Sequence, residues 1–329
     1  MHPFRHVTPK TADEAVRTLT AAPGKPRLLA GGTTLVDLMK LDVEQPDLLI
    51  DITRIPELRE IRVDGDMLVF GALMHMSDVA DHPIIKRDYP ILSEALWRGA
   101  SQQLRNMATL GGNLLQRTRC AYFRDTQFPC NKRAPGSGCS AIDGINRGHA
   151  ILGASSQCIA TYPGDWATAL VAMDASIDTL SPRGTRTIRA AELHRQPGDT
   201  PQIENVLMRD EMIIRTRVPA SPLGKASTYL KIRDRESYAF ALVSAAVALS
   251  MDGDRVRDAR IALGGVATVP WRGREAEQSL VGKTLDDAAA REAGKLAFAG
   301  AQTSQQNAFR VTLGVNTVAQ ALMIAKARA

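Results

Sequence analysis

The segment Arg27-Leu-Leu-Ala-Gly-Gly-Thr-Thr-Leu-Val-Asp-Leu-Met-Lys40 decides how the first part of this chain folds. Its short apolar run predicts a β-strand, the double glycine with two threonines predicts a tight turn, and the apolar spacing after the turn predicts a helix. A Gly-rich turn that leads into a helix places backbone N–H groups where they suit phosphate oxygens. The segment matches neither G-x-G-x-x-G nor G-x-x-x-x-G-K-[ST], so a Rossmann NAD site and a P-loop are disfavoured.

A second turn of the same kind lies at Thr109-Leu-Gly-Gly-Asn-Leu114. Each turn supplies small residues that let a backbone approach a ligand, N–H groups for oxygens, and a hydroxyl or amide side chain. Two such turns on one domain suit the two phosphates of a dinucleotide. We call 30–35 the first glycine turn and 109–113 the second glycine turn.

The remaining patterns indicate an α+β protein in two parts. Apolar periodicity predicts helices at 11–22, 91–106, 163–174, 284–299 and 312–328, and strands at 47–52, 68–71, 212–219, 229–233, 239–251 and 256–263. A hairpin is predicted over 175–189, and Asp252-Gly-Asp254 is predicted to form a hairpin turn. A linker is indicated by the Pro, Ser and Gly residues of the segment from Pro219 to Gly224. We therefore predict two domains, at 1–219 and 223–329.

Composition excludes several classes of protein. The chain has 329 residues with 44% apolar and 23% charged residues, which is ordinary globular composition, and no stretch approaches a membrane span. A net charge of +6 with only 5% aromatic residues argues against nucleic-acid binding. The first residues lack the apolar core of a secretory signal, so the expectation is a cytoplasmic protein or one exported while bound to a partner.

All four cysteines lie close together in the sequence, at Cys120, Cys130, Cys139 and Cys158. They fall in a segment, 116–158, that has no clear period and is too long to be an ordered loop unless something organises it. We call 116–158 the cysteine loop. Zinc sites more often contain a close C-x₂₋₄-C pair, which is absent, whereas the ligands of an iron–sulfur cubane need only meet in space. The residues alone do not decide between an iron–sulfur cluster, a zinc site and disulfides. Six basic side chains in the loop favour an anionic thiolate cluster, and they are Arg117, Arg119, Arg124, Lys132, Arg133 and Arg147. His149 reads as a surface residue.

Four motifs together carry a family resemblance: AGGTTLVDLMK at 30–40, ATLGGNL at 108–114, YPGDWATALVAMDA at 162–175 and YLKIRDRESYAFALVSAAVAL at 229–249. In this order and nearly end to end, the chain resembles the FAD-binding subunits of the molybdenum hydroxylases, the group of xanthine dehydrogenase, aldehyde oxidoreductase and carbon monoxide dehydrogenase. The resemblance implies an FAD-binding α+β domain in two subdomains, followed by a small C-terminal α+β domain of antiparallel sheet and helices.

The resemblance also implies which residues bind FAD. The two glycine turns would hold the pyrophosphate, Asp165 would hydrogen-bond the polar chain of FAD, and Lys231 would reach the flavin ring region. Ile213 would be an apolar contact. The implied FAD residues are Leu28, Leu29, Ala30, Gly31, Gly32, Thr33, Thr34, Leu35, Thr109, Gly112, Asn113, Asp165, Ile213 and Lys231.

The cysteine loop departs from most of the family, because some 45 residues separate Leu114 from Pro163. It resembles the insertion in the FAD subunit of bacterial aldehyde oxidoreductases of the periplasmic type, which carries a [4Fe–4S] cluster, and a comparable insertion in the flavin subunit of 4-hydroxybenzoyl-CoA reductase. This resemblance implies a [4Fe–4S] cluster on the four cysteines, and from its place in the sequence we expect the cluster within the FAD domain.

The chain lacks a nucleophile elbow, an H-E-x-x-H motif and spare cysteines for a second cluster. Since no motif indicates a site that activates a substrate, we predict that the chain transfers electrons. The resemblance implies partners: a large subunit with the molybdenum cofactor, a small subunit with [2Fe–2S] centres, and an external electron acceptor. It also favours the periplasm, reached on a partner's signal, over the cytoplasm. Two other readings are a self-contained FAD-dependent oxidoreductase and a zinc-loop protein with a degenerate flavin fold.

Overall fold

The computed structural model describes all residues, 1–329. It contains twelve strands, which are β1 Arg5–Val7, β2 Pro26–Leu29, β3 Leu48–Asp51, β4 Ile61–Asp64, β5 Met67–Gly71, β6 Ser176–Ser181, β7 Gly184–Arg189, β8 Met212–Pro219, β9 Ser227–Ile232, β10 Val243–Asp252, β11 Arg255–Gly264 and β12 Trp271–Arg272.

Thirteen helices connect and cover the strands. They are α1 Ala12–Ala21, α2 Leu35–Lys40, α3 Met76–Asp81, α4 Pro83–Asp88, α5 Pro90–Trp97, α6 Gln102–Arg105, α7 Leu110–Leu114, α8 Ala121–Arg124, α9 Asp165–Ala172, α10 Ala190–Leu193, α11 Arg274–Leu280, α12 Asp287–Ala297 and α13 Phe309–Lys326. Two short 3₁₀ turns lie at Pro56–Leu58 and Pro222–Gly224. No helix combines the length and the apolar character that crossing a membrane requires.

The strands form three separate sheets. A parallel sheet has the order β1-β3-β2, and an antiparallel sheet has the order β4-β5-β8-β6-β7. The third sheet is antiparallel, β12-β11-β10-β9, with helices α11 and α13 packed on it and α12 packed on those two helices. The fold is therefore α+β, as predicted.

Three apolar cores hold these layers together. The smallest of the three joins α1 and β3 to β8, and the largest lies among α3, α5, α9, β5 and one face of the third sheet. The third core fills the space between the other face of that sheet and the C-terminal helices. It also takes in Ile151 and Leu152 of the cysteine loop, both almost fully buried. The last part of the cysteine loop thus packs into the C-terminal core, and the expectation that the cluster lies within the FAD domain stays a prediction.

Most predicted elements are present with small shifts of their ends. The strand at 212–219 and the hairpin over 175–189 are confirmed, and Asp252 pairs with Arg255 across the predicted turn. The single helix predicted at 91–106 is wrong: α5 ends at Trp97 and α6 begins at Gln102. Ala100, between them, has a φ of 49°, which a continuous helix does not allow.

The strand predicted at 239–251 begins only at Val243, and the residues before it form an irregular segment. Within that segment Tyr238 has a φ of 54°, which is incompatible with a strand. The sequence reading also missed the short edge strands β1, β4 and β12 and the helices α10 and α11. These elements are too short to show a period of their own.

Candidate functional site

The two glycine turns face each other across one large cavity. This cavity has a volume of about 390 Å³, within the size range of cofactor sites. Its walls include both turns, the start of α9, Ile213 of β8 and the segment between α5 and α7. We call it the glycine-turn pocket. The structure thus brings together the two motifs that the sequence placed 79 positions apart, at 30 and 109.

The turns approach each other so closely that a side chain is excluded between them. A Cβ added to Gly31 would lie 1.9 Å from the carbonyl oxygen of Met107, just before the second turn. A Cβ added to Gly111 would lie 2.9 Å from Cβ of Ala72. Gly32 has a φ of 71°, a region that favours glycine. The glycines therefore serve the backbone geometry of the pocket as well as any ligand.

The first glycine turn presents unused hydrogen-bond donors. From Gly31 to Leu35 no backbone N–H donates a hydrogen bond within the protein, and these residues line the pocket at the start of α2. Backbone N–H groups normally find acceptors when they are covered. A row of free donors at a helix start is a site for anionic oxygens, such as those of a pyrophosphate.

The second glycine turn differs, because most of its donors are already used. Leu110 N–H donates to the Met74 carbonyl at 3.0 Å, Gly111 N–H to the Ala72 carbonyl at 2.8 Å, and Gly112 N–H to Thr109 Oγ1 at 3.3 Å. The turn offers side chains instead. Asn113 Oδ1 is buried without any hydrogen-bond partner, and Asn113 lines the pocket. The sequence reading treated the two turns as equivalent, which the hydrogen bonding contradicts.

Asp165 lies at the pocket wall as the first residue of α9 and is buried. Its carboxylate accepts a hydrogen bond from Tyr229 Oη at 2.6 Å and an ion-paired one from Lys231 Nζ at 2.7 Å. Lys231 is almost fully buried behind Asp165 and does not line the pocket. The contact between Lys231 and a flavin ring remains a prediction, and the structure interposes Asp165 between the ammonium group and the cavity.

Apart from Lys231, only Leu29 among the FAD residues implied by the resemblance does not line the pocket. Leu29 packs beneath the first glycine turn, where its Cδ1 would lie 3.3 Å from a Cβ added to Gly32. The structure adds lining residues that the sequence reading missed, several of them charged or aromatic: Arg27, Glu44, Ala100, Leu104, Arg117, Arg119, Arg209 and Phe240. Arg119 stacks on the Phe240 ring at 4.8 Å. These residues come from β2, α6 and several loops that are far apart in the sequence, so no local motif signals them.

The four cysteines of the cysteine loop are all free thiols and are at least partly buried. Cys130 and Cys139 face each other in an antiparallel bridge. Burial raises the pKa of Cys120 to about 11, although N–H groups of Phe123 and Tyr122 bond its sulfur, and the nearby thiols of Cys130 and Cys158 raise it further. The structure forms no disulfide among them, and no three Cys, His, Asp or Glu side chains are arranged to hold a metal ion.

His149 is buried, so the expectation of a surface residue is wrong. Its Nε2 lies 3.2 Å from Cys120 Sγ, and its Nδ1 has no partner. Burial lowers the pKa of His149, and the neighbouring Arg310 lowers it further. A lowered pKa favours the neutral imidazole, and the tautomer that carries its proton on Nε2 donates to the sulfur.

The basic side chains of the cysteine loop anchor it rather than surround the thiols with free charge. Arg119 and Arg124 both bind the Asp37 carboxylate of α2 at 2.8 Å. Arg117 pairs with Glu44 and Glu204, the latter also lying 3.6 Å from Lys132. Arg133 donates to main-chain carbonyls inside the loop. The prediction of positive charge around the thiols did not foresee these partners, several of which are distant in the sequence. Burial raises the pKa of Cys158 and Lys132 acts in the opposite direction, so part of that charge does reach a thiol.

Comparison with known proteins places the chain in a family. It matches the "FAD binding domain in molybdopterin dehydrogenase" over residues 2–221 and the "CO dehydrogenase flavoprotein C-terminal domain" over residues 228–325. It is 45% identical to the aldehyde oxidoreductase FAD-binding subunit PaoB of Escherichia coli (strain K12) across 100% of both chains. It is 31% identical to the carbon monoxide dehydrogenase medium chain of Hydrogenophaga pseudoflava, over 90% of this chain and 86% of that one.

Solved structures agree with the fold. The carbon monoxide dehydrogenase from Hydrogenophaga pseudoflava that lacks the Mo-pyranopterin moiety superposes with a TM-score of 0.78 at 29% identity, covering 100% of both chains. The reconstituted carbon monoxide dehydrogenase from Oligotropha carboxidovorans gives 0.79 at 25% identity, over 100% and 99%. The protein therefore belongs to the FAD-binding subunits of the molybdenum hydroxylases, and it is an oxidoreductase subunit of the aldehyde oxidoreductase and carbon monoxide dehydrogenase family.

Proposed function

We propose that this chain is the FAD- and [4Fe–4S]-carrying electron-transfer subunit of a heterotrimeric molybdenum-dependent aldehyde oxidoreductase. The single observation that carries the choice of aldehyde is the 45% identity to an aldehyde oxidoreductase FAD-binding subunit, which extends over the full length of both chains. The identity to the carbon monoxide dehydrogenase medium chain of Hydrogenophaga pseudoflava is lower, at 31%.

The residues of the glycine-turn pocket fit FAD. The free N–H groups of the first turn suit the pyrophosphate, and the unpartnered Oδ1 of Asn113 and the carboxylate of Asp165 are acceptors for hydroxyl and N–H groups of a cofactor. When bound, FAD supplies an acceptor of one or two electrons. The protein's task is to bind it, shield it from solvent and set the charge around it.

The cysteine loop supports an iron–sulfur cluster through the chemistry of its donors. Four free thiols lie close enough to influence one another, and two of them accept main-chain N–H bonds. A single metal ion would need its sulfur ligands about 2.3 Å away, hence within about 4 Å of one another, whereas a four-iron cluster accepts more widely spaced sulfurs. This size difference reconciles the proposal with the absence of a site for one ion. We assign Cys120, Cys130, Cys139 and Cys158 as the four ligands.

Metal and flavin analysis of the purified protein tests the cofactor assignment. We expect one FAD and about four irons per chain, with a broad visible shoulder. Cys139→Ser should lose the iron and the shoulder and keep FAD, whereas Ser156→Ala, an exposed position in the same loop, should keep both. Zinc, or two disulfides without metal, would refute the cluster. If aldehyde still reduces FAD in the Cys139→Ser complex, the role of the cluster is structural.

The relay proposal predicts that aldehyde oxidation needs the partner subunits, which we expect to carry the molybdenum cofactor and [2Fe–2S] centres. The FAD-loaded chain alone should not oxidise aldehydes with an artificial acceptor, and the co-purified complex should. Robust turnover by the chain alone would favour the alternative, a self-contained FAD-dependent oxidoreductase.

We further propose that the protein reaches the periplasm bound to a partner, with the cytoplasm as the alternative. The proposal rests on the resemblance of the cysteine loop to that of periplasmic enzymes. Cell fractionation with and without the partner subunits tests it: periplasmic protein only in the presence of the partners is the expected result, and cytoplasmic protein in both cases contradicts it. The division into domains at 1–219 and 223–329 likewise remains our proposal.

A further inference from the structure

Both carboxylate oxygens of Asp165 are held from behind by buried side chains. Tyr229 donates its hydroxyl to Oδ1 at 2.6 Å, and Lys231 donates to Oδ2 at 2.7 Å. An ionised carboxylate oxygen accepts two hydrogen bonds, so each oxygen keeps acceptor capacity for a group in the pocket. Asp165 lines the pocket, whereas Tyr229 and Lys231 do not.

Each of the two supporting side chains has a further hydrogen-bond partner besides Asp165. Ser244 Oγ lies 2.8 Å from Tyr229 Oη, and it donates because the tyrosine proton is committed to Asp165. Burial raises the pKa of Tyr229 well above its usual range, so the hydroxyl stays a donor. Lys231 also donates to the Arg98 carbonyl at 3.1 Å. These bonds leave the ammonium group committed to Asp165 and to one main-chain carbonyl.

The charges of Lys231 and Asp165 are paired in the same way as their hydrogen bonds. Lys231 and Asp165 form an ion pair whose charges cancel, so the ammonium group is not an isolated cation facing the cofactor. Arg98 adds a positive charge near Tyr229. All the variants proposed below retain Arg98, so its effect on the FAD potential is the same in each of them.

We propose that Tyr229 and Lys231 are positioning residues that fix Asp165 as a charged acceptor for donor groups of the bound FAD. Lys231 then influences FAD only through Asp165, in contrast to the direct contact with the flavin ring that the family resemblance implies. This inference rests on the assignment of FAD to the glycine-turn pocket in the proposed function.

Charge removal separates the indirect role of Lys231 from a direct one. The midpoint potential of the bound FAD reports the ratio of affinities for reduced and oxidised cofactor, and a tenfold change in that ratio is about 30 mV for two electrons. Lys231→Met leaves the Asp165 charge uncompensated and should lower the ratio about tenfold, which makes the potential more negative. Asp165→Asn removes the negative charge at the pocket wall and should shift the potential to the positive side.

The double variant decides between the two roles. If Lys231 acts only through Asp165, adding Lys231→Met to Asp165→Asn should change the potential little, so the double variant should match Asp165→Asn. If Lys231→Met lowers the potential in the Asp165→Asn background as much as it does in the unmodified protein, the two effects add, Lys231 acts directly on the flavin, and the inference is wrong. Should Lys231→Met alone fail to fold, the comparison of Asp165→Asn with the double variant carries the same test.

Tyr229→Phe removes one bond to Asp165 and no charge. It should weaken the binding of oxidised and reduced FAD alike, by about tenfold, and leave the potential unchanged. Tyr89→Phe is the matched control, because Tyr89 is buried and does not line the pocket. Equal FAD affinity in the two variants would overturn the role of Tyr229.

All measurements use the flavin-loaded protein with its co-purifying subunits. If Gly112→Val, at the pocket wall, keeps its FAD, the assignment of the pocket is at fault. If Gly112→Val loses FAD but the double variant behaves additively, only the inference about Lys231 fails.

Discussion

The glycine-turn pocket and the cysteine loop are built on opposite principles. The pocket is formed by short segments whose main-chain geometry is set locally, with free N–H groups from Gly31 to Leu35 at the start of a helix. The cysteine loop has almost no regular structure and its own apolar cluster is small, comprising Leu38, Phe123 and Cys130. Most of the loop is attached to the rest of the molecule by side-chain bonds, and only its last part also uses main-chain bonds and apolar burial, at Ile151, whereas the pocket depends on the backbone.

Asp37 connects the two regions. It lies on α2, directly after the first glycine turn, and its carboxylate binds Arg119 and Arg124 of the cysteine loop. The opposite end of the loop is tied to the C-terminal part of the chain, where the buried Arg310 donates to the His149 carbonyl at 2.7 Å. The loop therefore braces the two halves of the molecule, and loss of either attachment should affect the loop before the pocket.

The largest expected effect is loss of FAD on blocking the second glycine turn. In Gly112→Val the added Cβ meets only Thr109 Oγ1, at 3.0 Å, and the change is made at the wall of the pocket. The protein should fold, retain its iron and lack flavin by absorbance. Gly32→Val should also lose flavin, but its φ of 71° adds backbone strain, so Gly112→Val is the cleaner variant.

Gly148→Val is the matched control, because a Cβ at this exposed position of the cysteine loop meets no atom within 4 Å. It should retain both cofactors. Stoichiometric FAD in Gly112→Val would mean that the second glycine turn is not part of the FAD site, and the distinction between pocket and loop would need to be redrawn.

A smaller effect should follow the loss of the attachment at Asp37. Asp37→Asn weakens both bonds to the cysteine loop, and exposed ion pairs of this kind contribute roughly 0.2–1 kcal/mol each. Limited proteolysis within the cysteine loop should accelerate, by roughly twofold to thirtyfold for a loss of about 0.4–2 kcal/mol, while FAD content stays unchanged. Asp199→Asn, on the surface, is the control. Loss of FAD instead of faster cleavage would show that Asp37 serves the pocket.

The same attachment should depend on pH. Burial raises the pKa of Asp37, but the hydrogen bonds and charges of Arg124 and Arg119 outweigh it and hold the pKa below the usual 3.8. A carboxylate with a lowered folded-state pKa stabilises the protein above its unfolded pKa, and this contribution is lost as the pH falls through the folded value. The difference in cleavage rate between Asp37→Asn and the unmodified protein should thus be full at pH 6 and shrink below about pH 4. A constant difference across this range would argue against the ion pair.

The smallest expected effect concerns a bond inside the cysteine loop. The Tyr122 hydroxyl accepts the N–H of Ile145 at 2.6 Å, and the ring packs against Phe128 with centroids 5.1 Å apart. Tyr122→Phe keeps the ring contact and should lower the free energy of unfolding by about 1 kcal/mol, measured by denaturant titration. Tyr238→Phe, at an exposed position, should change it little. A loss of iron from Tyr122→Phe would indicate that this bond shapes the ligand positions of the thiols.

Local patterns in the sequence determined the fold class, the two glycine turns and most regular elements, because strand alternation, helix periodicity and turn residues act over a few positions. They failed where distant contacts decide. The apolar periodicity predicted one helix over 91–106, but the backbone at Ala100 interrupts it. A strand was predicted to begin at 239, but it begins at Val243, and the irregular segment before it places Phe240 at the pocket.

The features of the candidate site also fall into two groups, those that local sequence patterns predicted and those that only the tertiary structure revealed. The residues of the two turns were identifiable from sequence because main-chain geometry requires glycine there, whereas the partners of each charged side chain were not. Only the tertiary structure pairs Lys231 with Asp165, 66 positions away, buries His149 against Cys120, and ties Arg119 to Asp37. A charge is recognisable in a sequence, but its effect depends on burial and on the nearest opposite charge, and both are properties of the folded chain.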